Sequence, residues 1–181
     1  MIKEVLTVLK NELHSAGLAD VVVNDIAKHE DGAAGLDNKV VITLLNVQEE
    51  STMKNISRYV KNTSNVTKME SPSAYVNLFV MVTANMTDYD SALINISKVI
   101  EVLRSKNVLE YVATGIGESN FTFRTEMYAV PFEQLSYIWG LLGGKIIPSV
   151  MYKVSVVKIG AKNASDVQLI NDVDIKDITV K

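Results

Sequence analysis

Apolar positions along the chain fall into two periods, one helical and one extended. Ile2, Val5, Leu6, Leu9 and Leu13 recur at three- and four-residue steps, with Lys3, Glu4, Lys10, Asn11 and Glu12 on the other faces. That spacing predicts an amphipathic helix of about four turns, with Gly17 placed to stop it. Val21-Val-Val23 reads as a short strand, and His29-Glu-Asp-Gly-Ala-Ala-Gly35 as a flexible loop. Residues 40–47 are apolar on both alternating faces and rich in β-branched side chains, the pattern of a central strand in a sheet covered on both sides. Residues 49–74, with Glu49, Glu50, Lys54, Arg58 and Lys61 among many Ser, Thr and Asn, show little periodicity and predict a long exposed excursion.

Residues 74–83 form a second strongly apolar strand, after which Asn85 or Asp88 can open a helix. Ala92, Leu93, Ile96, Val99, Ile100 and Leu103 give that helix its stripe. Over 121–130, Phe121, Phe123 and Met127 alternate against Thr122, Arg124, Glu126 and Tyr128, which predicts a half-exposed strand. Pro131 suits the first turn of a helix whose packed face is Phe132, Leu135, Ile138, Trp139 and Leu142, with Tyr137 grouped among its aromatics and Gly143-Gly144 as its stop. Residues 150–159 read as a last well-formed strand, with Tyr152, Val154 and Val156 on one face and Lys153, Ser155 and Val157 on the other. Beyond it, Val167, Leu169, Ile170, Val173, Ile175, Ile178 and Val180 are spread among charges, a pattern that orders only by docking on something.

Together these elements predict an α/β (α+β) fold in a single domain over residues 1–160. Its mixed central sheet has about four to six strands flanked by about three helices. Residues 161–181 are expected to form an extension that docks on a neighbouring subunit.

Composition narrows the functional classes. The 181 residues suffice for one core, and the absence of Cys excludes thiol catalysis, thiolate metal sites and disulfides. With 18 Lys+Arg against 21 Asp+Glu, the net charge of −3 argues against nucleic acid as a partner. No apolar run has the length of a signal or membrane-spanning segment, so synthesis in the cytoplasm and no membrane partner are expected. His14 and His29 read as surface histidines, and Gly115-Ile-Gly-Glu-Ser-Asn120 as a turn without the helix that a phosphate loop needs. The carboxylates at Glu49-Glu50, Asp88/Asp90 and Asp172/Asp174/Asp177 lack the order of a calcium loop. No reaction class can be assembled from these residues, so no catalytic set, cofactor or metal is expected. The contrary reading is an enzyme or ligand binder with its cleft beside Arg124, Glu126 and Tyr128.

Several segments, in order, resemble a known family. They are Met1-Ile-Lys-Glu-Val-Leu6, Val41-Ile-Thr-Leu-Leu-Asn-Val-Gln-Glu-Glu50, Val76-Asn-Leu-Phe-Val-Met-Val-Thr-Ala84 with Tyr89-Asp-Ser-Ala-Leu93, and Ile96-Ser-Lys-Val-Ile-Glu-Val-Leu103. Pro131-Phe-Glu-Gln-Leu-Ser-Tyr-Ile-Trp-Gly-Leu-Leu-Gly-Gly144 and Ser149-Val-Met-Tyr-Lys-Val-Ser-Val-Val157 complete the set. Over about residues 1–158 the chain is similar to the N-terminal domain of cap (tail-terminator) proteins of phage-tail-like contractile injection systems, of the Photorhabdus virulence cassette and antifeeding prophage type. The resemblance implies a structural ring, usually a hexamer, at the baseplate-distal end of the particle. There it ends tube polymerisation and joins the last sheath ring, with itself, the sheath protein and the inner tube protein or tube terminator as partners. A terminator of a contractile phage tail is the alternative of the same kind. The expected interface residues are Glu49, Glu50, Lys54, Arg58 and Lys61 in the excursion and Ile175, Ile178 and Val180 in the extension.

Overall fold

The computed structural model describes residues 1–18, 20–53, 59–61, 67–70, 73–113, 115, 120–160 and 164–166. The first helix, α1 (Ile2–Ser15), buries Val5, Leu6, Leu9 and Leu13, as its period requires. Then follow β1 (Val21–Val23), β2 (Lys39–Glu49), β3 (Tyr59–Lys61), β4 (Thr67–Glu70) and β5 (Ser73–Asn85). After α2 (Tyr89–Ser105) come β6 (Val108–Tyr111), β7 (Phe121–Met127), α3 (Phe132–Leu141), β8 (Ser149–Gly160) and β9 (Ala164–Asp166). Asp88 rather than Asn85 caps α2, its carboxylate accepting from the Ser91 amide at 2.9 Å.

Six strands form one sheet in the order β1-β2-β5-β8-β7-β6. Only β1 and β2 run parallel; every other neighbouring pair is antiparallel. A parallel pair needs a crossover. Residues 24–38 supply it through two 3-10 turns, Ile26–Lys28 and Gly32–Ala34, capped by Asp25 and Asp31, where the sequence reads as a flexible loop. Thr43 fastens this crossover to the sheet: its hydroxyl donates to the Asn24 carbonyl at 2.8 Å and accepts from the buried Ile26 amide at 3.1 Å. Thr43→Val should therefore lower stability by about 1–3 kcal/mol, because it strands a buried donor. Thr43→Ser should keep most of that loss back; urea unfolding of both variants is the measurement.

The core has two layers on opposite faces of the sheet. Beneath α1 and α2 lie Val40, Ile42, Leu78, Val80, Val82, Tyr152 and Val154; on the other face Ile26, Leu36, Val41, Met81 and Met151 surround Trp139 of α3. Burial on both faces is what the doubly apolar pattern of residues 40–47 predicts. Bulges break strict alternation twice. Val154 pairs with Leu78 and Val157 with Val76, so Ser155 and Val156 together face Asn77. That extra residue turns Val154 and Val157 to the same interior at 0% exposure, where alternation predicts opposite faces.

Tyr152 is buried in the larger layer with a hydroxyl that has no partner among the described residues. Burial pushes its phenol up to about 12, above the ordinary value of 10. The folded value exceeds the unfolded one, so the full stability is present below pH ~10 and falls as pH rises towards ~12. Tyr152→Phe should be at least as stable at neutral pH and should lose this alkaline slope in unfolding titrations.

Four sequence expectations are corrected. Residues 49–74 are not a structureless excursion: they contain β3 and β4, which pair with each other and, through β4, with β9 in a second, three-stranded sheet. Strand β6 occupies Val108–Tyr111, where no strand is predicted. On β7, Thr125 is buried and Met127 exposed, because the strand ends at Met127 and its last side chain passes the edge of the core. Leu93 of α2 is exposed although it belongs to the predicted stripe. It lies at the flank, beyond the side covered by the sheet.

Candidate partner interface

Helix α3 is apolar nearly all round. Trp139 is 2% exposed and anchors one side, with Leu135, Ile138 and Leu142 half-buried beside it. Phe132, Tyr137 and Leu141 stand 86%, 75% and 86% exposed. Phe132 and Tyr137 are thus not part of the packed face: the helix begins beyond the sheet at Phe132, and Tyr137 lies on the side opposite the core. A helix hydrophobic on all sides is normally covered on all sides. The signal was present in the sequence, since seven large apolar residues between 132 and 142 exceed what one buried stripe can hold.

Beside α3 runs an apolar groove of about 540 Å³. Leu45, Phe79 and Met151 contribute from the sheet, Ile138 and Leu141 from α3, and Tyr128 from the segment after β7. The groove exists because β2 bulges at Leu45: Leu44 pairs with Val80 and Asn46 with Phe79, so one extra residue is accommodated there. Phe79 and Tyr128 meet edge to face with ring centroids 5.0 Å apart, which fixes one wall. Asn46, Gln48 and Gln134 add neutral polar groups, and Asp25 adds a carboxylate.

The loop that ends α3 is held against the crossover. Gly143 adopts φ +108°, and a Cβ there would come within 3.1 Å of the His29 ring. His29 is therefore half-buried rather than a free surface histidine, with Nδ1 3.0 Å from the Ile26 carbonyl. Lys145 forms an exposed ion pair with Glu30 across the same junction. That pair, with favourable charge and hydrogen bonding from Lys145, lowers the Glu30 carboxyl below its ordinary value.

The sequence-predicted interface residues divide. Glu49 ends β2 and is exposed. Glu50 follows it, and its carboxylate is occupied within the chain: Asn77 Nδ2 donates at 2.6 Å and Thr52 Oγ1 at 2.7 Å. Those bonds hold Glu50 well below the carboxylate range, at about 2. Lys61 is described through its backbone in β3. Lys54, Arg58, Ile175, Ile178 and Val180 lie outside the described residues. Of the three residues of the ligand-cleft reading, Arg124 and Glu126 form an exposed pair at 3.7 Å, and Tyr128 packs on Phe79. Among the described residues no His, Asp or Glu cluster is arranged to hold a metal, and no helix is long and apolar enough to cross a membrane.

No curated protein matches the chain significantly in sequence. The solved structures that share its fold include two terminators. One is the sheath/tube terminator of an extracellular contractile injection system, PVC, in its extended state, with a TM-score of 0.69 at 14% identity. The other is the anti-feeding prophage cap, a tube-terminating cap, with a TM-score of 0.68 at 15% identity. The alignments cover 100% and 95% of this chain but only 65% and 60% of those proteins. In sequence, the model of the Pvc16 N-terminal domain matches residues 4–171. With nearly the whole chain matched and the same fold in two terminator structures, the protein belongs to the Pvc16 N-terminal domain family.

Proposed function

We propose that the chain is a structural cap of a contractile injection system, forming a ring, most simply a hexamer, at the baseplate-distal end. The observation that carries this reading is the family match across residues 4–171, supported by the fold shared with a sheath/tube terminator and a tube-terminating cap. The ring ends tube polymerisation and joins the last sheath ring, so its partners are copies of itself, the tube and the sheath. It is made in the cytoplasm and then carried in the assembled particle. No catalysis is assigned to it.

A terminator must engage the tube or sheath yet leave nothing on which another layer can grow. The sheet suits that task. Its outer strands β1 and β6 span only three and four residues, whereas the interior strands β2, β5 and β8 span 11, 13 and 12. Short edges are poor templates for a further strand. Glu49 at the end of β2 and the residues between β2 and β5, including Lys54, Arg58 and Lys61, face the lumen or tube, and 161–181, with Ile175, Ile178 and Val180, reaches a neighbouring subunit.

The test is mass by light scattering, on the protein alone and mixed with purified sheath and tube subunits, over a range of concentrations. A ring alone, or one that appears with either partner, is the expected result. A monomer that ignores both would overturn the assignment. Deleting 161–181 is expected to abolish ring formation or sheath attachment, and unchanged assembly would remove that segment from the interface.

A further inference from the structure

We infer that neighbouring copies meet helix to helix: the outer face of α3 packs antiparallel on the outer face of α2 of the next subunit, with Glu133 of one chain beside Arg104 of the other. This rests on the ring reading above and adds the surfaces that join its subunits.

Helices α2 and α3 cover opposite faces of the sheet, so their outer faces point away from each other. On α2 the side away from the buried Ala92, Val99 and Leu103 carries Ile94, Ser97, Glu101 and Arg104, with Leu93 at its margin. On α3 the side away from Trp139 carries Glu133, Tyr137, Gly140 and Leu141. All of these residues are exposed. Phe132, Tyr137 and Leu141 on one helix and Tyr89, Leu93 and Ile94 on the other together expose on the order of 1,000 Å² of side chain. With a polar rim, that suffices for the core of a stable contact between subunits, which buries about 1,600 Å² in all. Two unlike apolar faces on opposite sides are what a head-to-tail ring requires, whereas a face that paired with its own copy would stop at two chains.

Charge and shape fix the orientation. Glu133 and Arg104 have no ion pair among the described residues, while Glu101 is already held by Lys98 at 3.0 Å. Antiparallel packing sets Arg104, in the last turn of α2, beside Glu133, in the first turn of α3. Parallel packing would instead set Glu133 beside Asp90, the acidic residue in the first turn of α2. From Glu133 to Gly140 and from Arg104 back to Ser97 the helices rise equally, about 10 Å, so the two smallest residues of these faces come opposite each other. A glycine inside a helix is disfavoured, and nothing in its own chain asks for Gly140: its φ is not positive, and a Cβ there would meet nothing within 4 Å. Close approach of a second backbone gives it a reason. Ser97 donates its hydroxyl to the Leu93 carbonyl at 2.8 Å, so covering it strands no donor. Leu141 then lies among Leu93, Ile94 and Ser97 of the next chain.

The test uses the full chain with sheath and tube subunits present. Glu133→Arg and Arg104→Glu should each lower the ring fraction in light scattering at least tenfold, because each sets like charges together at every junction, and the chain carrying both should regain it. Gly140→Leu should weaken the ring while its urea unfolding midpoint stays at or above that of the parent, which separates assembly from folding. The chain contains no Cys, so introduced cysteines report proximity without background. Oxidised rings of chains carrying both Ile94→Cys and Leu141→Cys should give a ladder of linked chains; the two positions lie across the sheet from each other and cannot bond within one chain. Ile94→Cys alone should give no linked pair, and a pair there would overturn head-to-tail packing. Rings of normal mass that give no ladder, or that ignore both charge reversals, would overturn this contact and leave the cap reading intact. No ring from the parent chain in any mixture would defeat the cap reading and the contact with it.

Discussion

Replacing Trp139 with alanine is expected to lower folding stability by about 3–5 kcal/mol, measured by urea unfolding. Trp139 is 2% exposed at the centre of the smaller core layer, and Ile26, Leu36, Val41, Met81 and Met151 close around it. The layer has little with which to fill the space left by an indole, because the half-buried residues around it are held on β1, β2, the crossover, α3 and the segments flanking α3. Its indole N–H has no partner among the described residues, so hydrogen bonding adds nothing to the expected loss. Trp139→Phe should therefore cost far less than Trp139→Ala, since it keeps most of the buried ring and removes the unpaired N–H. The alanine variant should also lose the groove, because Trp139 seats the helix that carries Ile138 and Leu141.

The second large effect is expected from Leu78→Ala, at about 2–5 kcal/mol in the same assay. Leu78 has 0% exposure and pairs with Val47 of β2 and Val154 of β8, beside the bulge that turns Val154 and Val157 inward. Relaxation into the vacated space is opposed from both neighbouring strands, which places the cost above that of an edge position. Leu78 and Trp139 belong to layers on opposite faces of the sheet and share no cluster. Their costs should add to within about 0.5 kcal/mol. Since the total stability of such a domain is about 5–15 kcal/mol, the double variant should be at or past the edge of folding.

Most elements were legible because their periods were long and clean. The step pattern of Val5, Leu9 and Leu13 on α1, and the doubly apolar Val40-Val-Ile42 in β2, needed only that each element find a core. Elements failed where that information is lacking. Val108–Tyr111 is four residues long and follows α2 almost at once, too short for alternation to register. Leu45 and Ser155-Val156 sit at bulges, and a bulge depends on the partner strand's spacing, which periodicity within one strand does not encode. The hairpin of β3 and β4 is defined by pairing with β9, roughly a hundred residues away in a polar stretch. Helix α3 has two apolar sides, and periodicity alone does not say which meets the sheet. The sequence pattern places Phe132 and Tyr137 on the packed face, and it does not show the groove built by Phe79, Tyr128 and Leu141, because those residues come from three separate elements.

The pairing of β5 with β8 carries a consequence for synthesis. These neighbours at the centre of the sheet run from Thr83↔Ser149 to Ser73↔Gly160, so the join brings together positions 66 to 87 residues apart in the chain. At about 5–20 residues per second, β8 leaves the ribosome roughly 4–15 s after β5. During that interval β5 offers an open, strongly apolar edge beside β2, the kind of template on which nascent chains stick to one another. Neither the bulge that orients Val154 and Val157 nor the floor of the groove, which needs Met151, can form before β8 arrives. The central sheet is consequently incomplete until synthesis of the chain is nearly finished, and unfinished chains lack the groove beside α3.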